Sequence, residues 1–272
     1  LPTDVPRPAM AGSWTVLRRT DGSKLPITAA HQVAKAVRGA LLHHATAPVP
    51  PVLSGHQPGP APTTPLEGPH TAIIPLPNVD GPHATGLLLG VAVQLPAGTS
   101  ADDERLVLRA LGTWRDDDGA LAVQMGRAGV MTLRVLGEGE EGTRPGQVLS
   151  RATWARPSHS WVSATPIALD RHPGDLWSRD GEPASAALRR AAEVVAVSVQ
   201  RVGLPEPVEV QTSLTPLLTG SRDARTFPPL VQGRSRQRRA LVHATVTFAD
   251  PVAGPMLLGA GRYLGLGLMR PI

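Results

Sequence analysis

From residue 13 to residue 136 the apolar pattern changes period in an order that few folds accommodate. Residues 13–20 (SWTVLRRT) alternate, imperfectly, as a strand does, and a DGSK turn follows. The next stretch, ITAAHQVAKAVRGALLHHA, places Val33, Val37, Ala40 and Leu41 at helical spacing, with Pro26 just before the start. Two strand-like runs come after it, TAIIPL at 71–76 and GLLLGVAVQL at 86–95. A second helix is predicted over 100–114, with Ser100 as N-cap and acids in its first turn. VMTLRVL at 130–136 reads as a strand, which completes the order β-α-β-β-α-β of a ferredoxin-like unit.

The pattern then partly repeats. After a polar, Gly-rich linker at 137–147, WVSATPIAL (161–169) reads as a strand and 185–203 as a helix ending at Gly203. PVEVQTSL and ALVHATVTFA read as strands around an Arg-rich loop, and GPMLLGAGRYLGLGLMRPI as a Gly-punctuated strand-loop-strand. The expected architecture is α+β: two tandem ferredoxin-like (RRM-like) units, 1–137 and 148–272, the second degenerate because it lacks an evident second helix. Residues 47–69, rich in Pro and Gly, are expected to form one long loop.

Composition removes several classes of chemistry. The chain has no cysteine, so disulfides, thiolate zinc sites and cysteine nucleophiles are excluded. It has no apolar run of the roughly 18 residues that a membrane helix needs, and no charged-then-apolar leader, so it is expected to be cytoplasmic without membrane contact. It begins with Leu, as a fragment of a longer chain would. Aromatics are 3% of residues, too few for ring stacking to be a widespread mode of recognition. The 25 arginines against two lysines fit a GC-rich genome, or phosphate binding through a planar fork of donors.

Six of the nine histidines fall in the first third. His56 (SGH), His70 (GPH) and His83 (GPH) each follow a turn, where loops collect acid–base groups. Each is also readable as an ordinary polar loop residue. Their spacings of 14 and 13 match no compact ligand pattern, so no metal is expected. His31 lies in the first turn of the first helix, near the turn that carries Lys24, where the helix dipole disfavours protonation and suits a base. Arg222, Arg225, Arg234, Arg236, Arg238 and Arg239 form the densest positive charge, suited to a phosphate backbone or to a solvated loop. Gly259, Gly261, Gly265 and Gly267 permit close backbone approach around Arg262. There is no phosphate-cradling P-loop, no dinucleotide fingerprint and no GxSxG elbow, so no cofactor is expected. Asp116, Asp117 and Asp118 read as a solvated turn.

Four stretches carry a resemblance: LSGHQPG…GPHTAIIPLPNVDGPHATGLLLGVAVQLP, WVSATPIALDRHP, GLPEPVEVQTS and GPMLLGAGRYLGLGLMRP. Together they resemble the C-terminal, processing half of the fused backbone and endoribonuclease subunit of type I-G (formerly I-U) CRISPR effector complexes, the Csb-two family within the RAMP superfamily. The resemblance implies a metal-independent endoribonuclease that cuts repeat RNA by attack of its own 2′-OH. The partners it implies are CRISPR repeat RNA and other subunits of a type I complex, including a backbone module. By topology it points to His31 or the Lys24 turn; by motif it points to His56, His70 and His83. Arg234, Arg236, Arg238, Arg239 and the Gly259–Gly267 segment would grip the RNA. A non-catalytic RNA-binding subunit of the same complex is the alternative, and an unrelated metabolic enzyme on this fold is a third reading.

Overall fold

A computed structural model describes residues 5–58, 64–137, 146–178, 181–232 and 237–272. The first unit runs β1 (Trp14–Gly22), α1 (Ala30–His44), a one-turn helix α2 (Pro51–Ser54), β2 (Ala72–Pro77), β3 (Leu88–Gln94), α3 (Ala101–Trp114), β4 (Leu121–Gln124) and β5 (Val130–Val135). Its strands form one sheet in the order β2-β3-β1-β5-β4, every neighbouring pair antiparallel. With β4 set aside as an extra edge strand, this is the ferredoxin-like order. The Ser100 hydroxyl accepts the Asp103 amide at 3.1 Å and caps α3.

Burial explains the sequence pattern of β2 and β3. Successive side chains of a strand point to opposite faces. Ile73, Val91 and Val93 face a core built with Val33, Val37 and Leu41 of α1 and Val107 and Leu111 of α3. Ile74, Leu76 and Ala92 face the other way, into a core shared with Trp154, Val162, Leu257, Leu266 and Leu268 of the second unit. Both faces are dry, so these strands read as continuous apolar runs rather than alternating ones.

The second unit runs α4 (Ala152–Ala155), β6 (Ser158–Ser163), β7 (Ile167–Ala168), α5 (Gly181–Arg201), β8 (Glu209–Ser213), β9 (Val231–Gln232), β10 (Gln237–Arg238), β11 (Leu241–Val252) and β12 (Met269–Pro271). β6 lies between β12 and β11, and β8 pairs on the far side of β11. This repeats the first unit's order without its second helix. Ala187, Ala191, Val195 and Val199 of α5 pack on Val242, Val246 and Phe248 of β11.

Four expectations need correction. The loop at 47–69 contains α2, whose Pro at the first helical position and left-handed Gly55 after its last are a helix start and stop in miniature. β4 was not foreseen, because four residues alternating buried and exposed give little periodic signal. The strand expected over 161–169 is broken between β6 and β7, although Ile167 still pairs with Val242 of β11. The C-terminal stretch is strand only in β12; ahead of it stands irregular chain with isolated bridges between Leu257 and Leu268 and between Leu264 and Ile73 of β2.

The shared core makes a stability prediction. Trp154 is fully buried, and its indole N–H donates to the Val148 carbonyl at 2.6 Å. Trp154→Ala should cost about 3–5 kcal/mol, read by chemical denaturation. The wild-type chain should unfold in one transition by both circular dichroism and fluorescence; two separate transitions would contradict a common core.

Candidate functional site

The C-terminal irregular chain stitches the two units together. At its start the Gly259 amide donates to the Ser198 hydroxyl of α5 at 2.8 Å, and the Ala260 amide to the Ala168 carbonyl at 2.8 Å. Four residues on, the Tyr263 carbonyl accepts the Ile73 amide of β2 at 3.0 Å. Gly265, at φ +81, then lies so close to α1 that a Cβ would stand 2.7 Å from the Ala30 carbonyl oxygen. Only glycine allows this approach.

That approach orders His31. Its Nδ1 is 3.0 Å from the Leu264 carbonyl oxygen. A carbonyl only accepts, so Nδ1 carries the proton and Nε2 keeps its lone pair. Burial pushes the imidazole below the usual histidine range; the Leu264 hydrogen bond opposes this, and the Lys35 charge adds to it. His31 is therefore a neutral, oriented base at neutral pH.

A second histidine sits on the preceding residue of the same segment. The His70 ring stacks on Tyr263 with 3.6 Å between centroids and 30° between planes. The Arg262 guanidinium covers Tyr263 at 4.6 Å. Burial first, then the charges of Arg38 and Arg262, push His70 down to about 4. Arg38, from α1, donates to the Ser54 carbonyl, and His56 Nδ1 donates to the same oxygen at 2.9 Å. Gly55 permits this crowding: a Cβ there would stand 3.0 Å from the His70 ring and 3.2 Å from Arg38.

The structure thus brings His31, His56 and His70 to one end of the first unit, around residues 262–264. His83 lies elsewhere, exposed in the loop after β2. His70 and His83 flank opposite ends of that six-residue strand, which spans about 20 Å at roughly 3.3 Å per residue. Lys24 is exposed on the turn leading into α1. Gly259 and Gly267 sit against the main-chain carbonyls of Ala168 and Leu258, and Gly261 against the Leu266 side chain. Arg222, Arg225, Arg238 and Arg239 belong to the second unit and not to the cluster of His31, His56 and His70, and Arg234 and Arg236 lie outside the described residues.

Sequence reasoning overlooked Lys35, Arg38 and Tyr263. Lys35 and Arg38 follow His31 at i+4 and i+7, which places all three on one helical face; that spacing was available. Among the described residues, no group of three or more His, Asp or Glu side chains could hold a metal ion, and no helix is long and apolar enough to cross a membrane. His243, which received no role, is a core residue: its ring bridges the Ser163 hydroxyl at 3.0 Å and the Arg222 carbonyl at 2.9 Å.

Comparison with known proteins places this geometry in context. The model of a family described as "CRISPR-associated protein, GSU0054 family" matches residues 12–271. No curated protein matches the chain. Among solved structures, a Cas6 product complex is similar over 95% of this chain and 99% of that chain, with a TM-score of 0.42 and 17% identity.

The depressed His70 predicts a pH effect on stability. Between about 4 and the ordinary value of 6.5, the unfolded chain binds a proton that the folded chain refuses. Stability from this source is complete above pH 6.5 and is lost as pH falls toward 4. His70→Asn should therefore lose less stability than wild type between pH 7 and pH 5 in urea titrations. An identical loss would contradict the assignment.

Proposed function

The chain belongs to the CRISPR-associated GSU0054 family, and from that premise we propose that it is a metal-independent endoribonuclease acting on CRISPR repeat RNA. The observation that carries the reading is the Leu264–His31 hydrogen bond, which leaves Nε2 without a proton on a ring that feels the Lys35 charge. The four stretches similar to the processing half of the type I-G subunit extend the reading to a place in a type I effector complex, beside a backbone module.

Each step falls to a group in the cluster. His31 Nε2 removes the proton from a ribose 2′-OH. The 2′-oxygen attacks the adjacent phosphorus, and the bond from phosphorus to the 5′-oxygen breaks. The 5′-oxygen takes a proton, with the Lys35 ammonium as the donor on the same helical face. The products are a 2′,3′-cyclic phosphate and a 5′-OH. Arg262 and Arg38 face the charge that builds on the phosphoryl oxygens. His70, uncharged through burial, positions Tyr263 and Arg262 and is not itself the base. Dependence on the 2′-OH restricts the reaction to RNA.

The non-catalytic holder reading draws on one specific feature. His56 and His70 are both engaged by the protein, one on the Ser54 carbonyl and one on the Tyr263 ring, as residues with structural duties are.

The test is labelled repeat RNA incubated with the chain in EDTA, beside a substrate with a 2′-deoxyribose at the cut. Cleavage should persist in EDTA and vanish with the deoxy substrate. His31→Ala should lower the single-turnover rate about 10²–10⁴-fold, with repeat binding within a few-fold of wild type. Tight binding with no cleavage in wild type would leave the holder reading, and cleavage unaffected by His31→Ala would remove His31 from the mechanism.

A further inference from the structure

The second unit carries a cavity that the cleavage site does not use. It has a volume of about 570 Å³ and is lined by Trp177, Arg225, Arg238, Arg239, His172 and Phe227, among others. Such a volume falls in the range of small-molecule sites. A smaller cavity of about 190 Å³ adjoins it through His172, Arg238 and Arg239. Trp177 is the most exposed tryptophan among the described residues, with 48% of its surface open, in a chain that has only five. The Arg225 guanidinium lies over its ring at 4.7 Å.

Two hydrogen bonds hold the chain that presents this ring. The Trp177 amide donates to the Asp175 carboxylate at 2.9 Å, and the Gly174 amide to His172 Nδ1 at 3.1 Å. Both bonds fix the turn that presents the indole. Asp175 also lines the cavity, and its charge is engaged by that amide. Arg239 is anchored through the Asp170 carbonyl at 2.6 Å, whereas Arg238 is exposed. An indole left half in water costs apolar hydration that a core position would relieve. An exposed indole in a groove that also carries Arg225, Arg238 and Arg239 suits a planar, anionic partner.

We propose that this groove binds one unpaired nucleotide of the RNA, its base stacked on Trp177 and its phosphate held by Arg238 and Arg239. The proposal rests on the RNA reading above and adds a site for a single-stranded flank. Stacking on a ring tolerates any base, and the arginines read only the backbone. A physical connection runs from the groove to the histidines. Ala240, which lines the groove, pairs through its carbonyl with the Leu169 amide at 2.9 Å, and the neighbouring Ala168 carbonyl accepts the Ala260 amide. From Ala260 the chain reaches Tyr263 in three residues, about 10 Å at most. A strand held in the groove would therefore be linked, through Leu169 and Ala168, to the segment that orients His31.

The test titrates the intact chain with a single-stranded RNA hexamer that forms no hairpin, read by tryptophan emission and by anisotropy of a labelled hexamer. Wild-type emission should be quenched on binding. Trp177→Ala should weaken hexamer binding about 5- to 150-fold, the equivalent of ~1–3 kcal/mol for one stacked base. Trp177→Phe should keep most of the affinity and lose the quench. Arg238→Ala should weaken binding less and flatten its salt dependence. Hexamer affinity unchanged in Trp177→Ala would overturn the proposal, as would a polyglutamate peptide of equal charge that displaces the hexamer at the same concentration. Circular dichroism confirms that each variant folds. Cleavage of repeat RNA is scored separately: retained cleavage with an unaltered Trp177→Ala hexamer affinity removes the groove alone, and absent cleavage with a weakened affinity removes the nuclease reading alone.

Discussion

The contact on which the rest depends is the approach of Gly265 to the first turn of α1. A Cβ at this position would stand 2.7 Å from the Ala30 carbonyl oxygen and 3.0 Å from the Pro75 ring, so the backbone there needs a residue with no side chain. The approach sets the Leu264 carbonyl beside His31, brings Tyr263 onto His70 and carries Arg262 with it. It also brings Leu264 against the core of the first unit while Gly259, five residues back, is held by α5 of the second. One segment therefore joins the units and completes the polar cluster.

The cluster's electrostatics follow from the same contact. Burial disfavours a proton on either imidazole, and the charges of Lys35 at His31 and of Arg38 and Arg262 at His70 add to that. The result is a pair of neutral imidazoles set among positive charge, the arrangement a base needs when the group it acts on carries a phosphate.

Much of the fold was legible because each long element carries its own period. α1 and α3 have helical spacing, and Ser100 announces the start of α3 by a hydrogen bond that local sequence alone can specify. The degenerate second unit was legible as the lack of an evident second helix, whereas its tail, expected as strand-loop-strand, is strand only at Met269–Pro271. The short elements were not. α2 has four residues and β4 four, below the length at which a period can be counted. The site was legible only in part, since His31, His56 and His70 are histidines in suggestive places, but their meeting is a tertiary fact. Topology and motif pointed to different histidines, and the fold sets His31 and His70 against adjacent residues, Leu264 and Tyr263, of one glycine-rich segment. His83 shares its GPH context with His70, yet the strand between them holds them apart. Lys35 and Arg38 show no motif, only spacing along a helix face.

The central claim is that the glycine-rich segment fixes the protonation site of His31. Nitrogen-15 NMR of the imidazole at neutral pH tests it directly, because the two ring nitrogens report separately which of them carries the proton. The account predicts a neutral ring protonated at Nδ1, bare at Nε2, and titrating below the ordinary histidine value of 6.5. A ring protonated at Nε2, or one that titrates at or above 6.5, would contradict it.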